Sequence, residues 1–94
     1  MSEKIAVENV NVPGQVTNVD AAKYTAMKTA MLLVMSSEPM TANDIKQAAK
    51  PHLPEDLFPG GATSGWWAKC VQLDLEAKAV LTRHATKPLS WSKT

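Results

Sequence analysis

The sequence predicts a mainly α domain of three helices closed by a small C-terminal β-hairpin. Three observations carry this. Apolar residues recur at helical spacing over 19–36 and again over 64–79. A cap-and-staple pattern runs from Met40 to Ile45. Two short β-prone segments, 80–84 and 89–92, flank Ala85-Thr86-Lys87-Pro88, a four-residue turn.

Each element can be justified in order. Residues 1–18 hold Ile5, Val7, Val10 and Val12 in loose alternation before Pro13-Gly14. This reads as an extended arm, or a strand and a turn, and not as a helix. The expected strand over 4–12 has no partner of its own. Exposed edges tend to pair, so the arm is expected to pair with the C-terminal hairpin or with a second chain in a homodimer.

Asn18 or Asp20 caps the first helix, where an acid suits the positive helix end. Tyr24, Met27, Met31, Val34 and Met35 share one face. Ala22, Ala26, Ala30 and Leu33 form a smaller stripe that lets a neighbouring helix approach closely. The second helix spans 42–50. Thr41 is its N-cap, Asp44 shortens a capping box, and Met40 staples to Ile45. Pro51 stops it.

Residues 51–61 carry three prolines and two glycines, which exclude regular structure over most of the stretch. Pro54 to Leu57 forms at most one helical turn. Leu53, Leu57 and Phe58 pin this loop to the core, as a rigid spacer between helices.

The third helix spans 64–79 with Thr63 as its cap. One apolar stripe is Trp66, Cys70, Leu73 and Ala77; the other is Trp67, Ala68, Val71, Leu75 and Ala79. Asp74 and Lys78 interrupt the arc. The polar face is narrow: Gly65, Lys69, Gln72 and Glu76. Trp66 is expected to pack under the long loop against Leu57 and Phe58. Unless it does, its apolar bulk points to a partner. In the hairpin, Leu89 and Trp91 point to the core, and Pro88 opens an edge strand.

Composition bounds the function classes. The chain has 94 residues, 45% hydrophobic and 20% charged, with a formal charge of +1. That is one globular domain, read as an arm over 1–18 and a single unit over 19–94. The longest apolar run, Ala30 to Met35, is too short for a transmembrane helix. No secretory leader opens the sequence. Cys70 is the only cysteine, which excludes an internal disulfide and favours the cytoplasm.

Charge is uneven. Residues 1–64 hold five lysines and seven acids, whereas residues 65–94 hold five cations and two acids. No acid follows Ala77. A basic end on a near-neutral chain is a weak electrostatic footprint.

The order of arm, three helices and hairpin resembles a winged helix-turn-helix domain over residues 19–92. The stretch Leu75-Glu76-Ala77-Lys78-Ala79-Val80-Leu81-Thr82-Arg83 is similar to the end of the third helix and the first wing strand in winged-helix regulators. That family usually has Gly where Ala79 stands, and a shorter turn before its third helix. Val19 to Tyr24, Pro51 to Pro54, Leu57 to Gly61 and Gly65 to Lys78 also resemble a small bacterial family of uncharacterised proteins. That second likeness implies a bacterial source and no known activity.

The winged-helix resemblance implies DNA binding or regulation. The third helix would enter the major groove and the wing would touch phosphate or the minor groove. The nucleic-acid candidates are Thr63, Ser64, Lys69 and Gln72 on the helix, with Arg83, Lys87 and Lys93 on the wing. Gln72 suits adenine, and Lys69 suits guanine or phosphate. Asp74 and Glu76 on the same helix oppose it. The alternative is a protein-interaction module or homodimer using Trp66, Leu73 and the N-terminal arm.

Catalysis and metal binding find no support. His52, His84 and Cys70 lack metal-ligand spacing. Gly60-Gly61 lacks a phosphate-loop pattern. Glu55-Asp56 sits in a loop with no apolar pocket to raise a pKa. No cofactor and no membrane partner is implied.

Overall fold

A computed structural model describes residues 3–9, 11, 12 and 14–93. The elements run β1 (Lys4–Glu8), β2 (Val16–Asp20), α1 (Ala21–Val34), β3 (Met40–Thr41), α2 (Ala42–Ala49), α3 (Ser64–Ala77), β4 (Leu81–His84) and β5 (Ser90–Lys93). Short 3-10 turns occupy Lys50–His52 and Pro59–Gly61 in the loop between α2 and α3.

The arm is not left without a partner. Residues 16–20 supply an antiparallel mate for residues 4–8, with Ile5 opposite Val19 and Val7 opposite Thr17. Ile5 and Val7, at alternate positions, therefore belong to a hairpin within the arm. Gly14, at φ 87°, serves its turn, a conformation that favours glycine. Val10 and Pro13 lie outside the described residues. The inward face, Val7 and Val19, is buried.

Asp20 ends β2 and caps α1: its carboxylate accepts from the Ala22 and Lys23 backbone N–H groups at 2.9 and 3.1 Å. Tyr24, Met27, Ala30 and Met31 form the buried face of α1. The expected second stripe holds only in part, because Leu33 is 65% exposed. Thr41 caps α2 as expected, its hydroxyl accepting from the Asp44 N–H at 3.2 Å.

The loop is fastened from inside. Phe58 is buried in the core, with Leu53 and Leu57 packed partly against it. Phe58 also folds the loop on itself, its N–H donating to the Pro54 carbonyl at 2.9 Å. Trp67, not Trp66, joins this core; Trp66 stands 60% exposed. The two tryptophans touch edge to face, with ring centroids 5.0 Å apart.

Thr63 does not cap α3 with its side chain. It sits in the left-handed region at φ 59°, and its hydroxyl donates to the Ala62 carbonyl at 2.6 Å. The other end of α3 closes by two nested bonds. The Val80 N–H reaches the Leu75 carbonyl at 2.8 Å and the Ala79 N–H reaches Glu76 at 3.1 Å. This Schellman closure puts residue 79 at φ 61°. The left-handed position falls where the winged-helix resemblance places glycine.

The C-terminal hairpin forms, and β3 extends it into a three-stranded antiparallel sheet of order β3–β5–β4. Met40 lies opposite Trp91, and Arg83 opposite Trp91 on the other side. β5 is thus the central strand, not an edge; Pro88 precedes it and takes no ladder position. Trp91 is buried as expected, whereas Leu89 is 42% exposed. The whole is a three-helix domain with two small antiparallel sheets, measuring 40 × 32 × 17 Å.

Candidate recognition surface

α3 is the hub of the molecule: α1, α2, β1 and β4 all pack against it. Two carboxylates on it fasten the two hairpins.

Asp74 is fully buried. Its Oδ1 accepts from the Glu8 backbone N–H at 2.8 Å, and its Oδ2 accepts from the Tyr24 hydroxyl. Lys78, one turn along α3, brings its ammonium to 2.9 Å. A charge removed from water is tolerable only when its lone pairs are so occupied. Burial, followed by the Asp74 bond, pushes the Tyr24 phenol well above the ordinary tyrosine range. Burial, with Asp74 second, also raises the Cys70 thiol, consistent with an unreactive cysteine.

Glu76 does the same work for the C-terminal hairpin. Its Oε2 meets Arg83 Nε at 3.1 Å, while its Oε1 accepts from Arg83 Nη2 at 3.2 Å and from the Trp91 indole N–H. The Gln72 amide donates to it at 3.4 Å. The Arg83 guanidinium also lies 5.7 Å from the Trp91 ring centroid.

These contacts redistribute the residues expected at a nucleic-acid face. Ser64 and Gln72 are buried, so they leave the helix surface. The expected polar face of α3 is half covered, because Gln72 is buried and the C-terminal hairpin bonds Glu76 through Arg83 and Trp91. Thr63 bonds its neighbouring carbonyl. Arg83 is ion-paired. Lys69, Lys87 and Lys93 are exposed.

On one side of α3 the exposed Trp66 and Lys69 and the half-buried Leu73 form a ridge at i, i+3 and i+7. Lys69 and Leu73 line a groove on each side of it. One groove, of about 530 Å³, lies toward α2 and the wing; the other, of about 350 Å³, lies toward the β1–β2 hairpin and includes Trp66 and Cys70. Trp66 and Leu73, singled out for a partner surface, therefore stand together on the ridge.

Sequence reasoning missed the role of Tyr24 and of the hairpin backbone at Glu8. The available signal was Asp74 itself, a lone acid inside an apolar arc. An acid in that position needs buried donors.

Among the described residues, no group of three or more His, Cys, Asp or Glu side chains could hold a metal ion. Among them too, no helix is long and apolar enough to cross a membrane. Comparison with curated proteins and with solved structures returns no match. A family model does match, over residues 4–91, spanning the N-terminal hairpin, the three helices and the C-terminal hairpin up to Trp91. The chain belongs to DUF6958, a family of unknown function.

Proposed function

We propose that this chain is a small non-enzymatic interaction domain of winged-helix build, which docks a protein partner on the α3 ridge. The carrying observation is Trp66. It is 60% exposed on the most central helix and, with Leu73, lines the groove on the β1–β2 side. A large aromatic with a rigid backing and a groove beside it is the composition of an interface anchor. The winged-helix part is supported by the sheet order, in which the strand before α2 pairs with the last strand. Fold alone does not supply function, so the docking role rests on the surface. The single thiol and the bacterial resemblance fit a cytoplasmic setting.

A photo-crosslinking amino acid at position 66, in the full chain expressed in cells, tests the reading. Protein adducts from position 66, absent when the same group replaces Gln47 on the exposed side of α2, support it. An adduct of twice the chain mass identifies the partner as a second copy. No protein adduct, or adducts to nucleic acid alone, defeats it.

DNA binding is the second reading. The sheet order and the exposed Lys69, Lys87 and Lys93 favour it. Its weakness is local: Gln72 and Arg83 are both committed to Glu76. Phosphate binding needs available cations, and its strength follows their number. A duplex titration at low and moderate salt, with Arg83→Ala plus Lys87→Ala, decides it. Salt-dependent binding that falls in the double variant would restore this reading.

A further inference from the structure

The groove on the wing side of α3 differs from the rest of the surface. Leu73, Leu89 and Trp91 give it apolar walls, and Lys46, Lys69 and Arg83 set cations around them. No Asp or Glu is among its described lining residues. Three acids near it in sequence do not alter this; Asp74, next to Leu73, is fully buried and bonded to Glu8, Tyr24 and Lys78. Glu76 keeps only 6% of its side chain exposed, and its oxygens are occupied by Arg83, Trp91 and Gln72. Asp44 is on α2, but Ala42, Asn43, Ile45 and Lys46 line the groove, and Asp44 falls about 180° from their mean direction at about 100° per residue.

We infer that this groove takes an acidic amphipathic segment of a partner protein: two or three large apolar side chains flanked by carboxylates. The inference rests on the docking role proposed above and names the partner's chemistry. Leu89, 42% exposed, gains from apolar cover and gains nothing from phosphate. The cations at the rim suit carboxylates. Lys46 and Lys69 each offer an ammonium, and Arg83 keeps donors beyond those it gives Glu76. Complementary rim charge selects the partner and speeds its encounter, while the apolar centre holds it. A duplex would set its phosphates against Leu73 and Leu89, and Gln72, the residue suited to a base, is buried.

The test selects short random peptides displayed on phage against the immobilised full chain. Enriched sequences are then synthesised and their Kd measured by fluorescence anisotropy. Four forms are compared: wild type, Lys46→Glu with Lys69→Glu, Leu89→Ala, and Trp66→Ala. A Lys46→Gln with Lys69→Gln form guards against misfolding of the charge-reversed one, and circular dichroism checks both. The expected peptides are net negative with at least two spaced large apolar residues. They bind about tenfold or more weakly to the charge-reversed form, less weakly to the Gln form, and more weakly to Leu89→Ala; added salt weakens them. Neutral or basic winners overturn the inference, as do acidic winners indifferent to Lys46 and Lys69. No enrichment overturns it too. Winners that depend on Trp66 but not on the two lysines or Leu89 leave the docking role standing and remove only the acidic groove. A duplex that binds where no peptide does removes both.

Discussion

The two hairpins that flank α3 are held by different kinds of contact. The N-terminal hairpin gives Asp74 a single bond, from the Glu8 backbone; the remaining donors are Tyr24 of α1 and Lys78, the C-cap of α3. The wing gives Glu76 two of its own side chains, Arg83 and Trp91. The wing is also extended by β3 and tied to the end of α1, where the Lys93 N–H reaches the Ser36 carbonyl at 2.8 Å. The β1–β2 hairpin is a two-stranded ribbon, and such ribbons are marginal in water without a surface to pack on. One carboxylate therefore recognises the path of a backbone, and the other recognises particular side chains. The N-terminal hairpin depends more on its carboxylate than the wing does.

Asp74→Ala is the largest break in this comparison. It leaves the buried Tyr24 hydroxyl and the Glu8 N–H without their acceptor, while Lys78, whose side chain is 40% exposed, turns to water. The expected loss is about 3 kcal/mol. Chemical denaturation measures it, and amide exchange locates it: residues 4–8 and 16–20 lose protection before residues 81–93. Equal loss in both hairpins would erase the distinction between them.

Glu76→Ala is expected to cost less, about 2 kcal/mol, because Arg83 is part-exposed and finds water while the Trp91 indole and the Gln72 amide lose an acceptor. Here the protection lost belongs to residues 81–93. The variant also frees Arg83, so it raises any duplex affinity the wing has. If exchange speeds up in the N-terminal hairpin first, the two carboxylates are not independent fastenings.

Much of this was legible in the sequence, and the reasons are local. Asp20, Thr41 and the Met40–Ile45 pattern announce helix starts through short-range bonds, and the structure makes the bonds at Asp20 and Thr41. The three helix spans and the C-terminal hairpin follow from periodicity and turn residues. What failed was tertiary. The arm's partner strand, 16–20, has Thr17 and Asn18 within it and no apolar alternation to announce it. The polar face of α3 read as solvent-facing because nothing local marks that the wing folds over Gln72 and Glu76. Trp66 and Trp67 are adjacent and alike in composition; only tertiary packing decides which is buried. The ridge was half legible for the same reason: Trp66, Lys69 and Leu73 share a face by spacing, but their exposure depends on where both hairpins land.

The smallest expected effect tests how each hairpin joins its helix. The N-terminal hairpin enters α1 through Asp20, whose carboxylate caps the helix without strain. The C-terminal hairpin leaves α3 through Ala79, held at φ 61° by the bonds that close the helix. A residue with a Cβ pays about 1–2 kcal/mol in that conformation, and glycine does not. Ala79 is exposed, so losing its methyl removes little packing. Glycine also adds freedom to the unfolded chain, which offsets part of the gain. Ala79→Gly is therefore expected to stabilise the protein by about 0.5–1 kcal/mol, read as a higher denaturation midpoint with an unchanged slope. The gain should appear as slower exchange at the α3–β4 junction and not in the N-terminal hairpin. Ala21→Gly, just after the unstrained Asp20 cap, should instead destabilise, since it places glycine where the backbone is already helical. A loss at position 79 as well would mean that the two junctions are alike, and that the left-handed turn into the wing stores no strain.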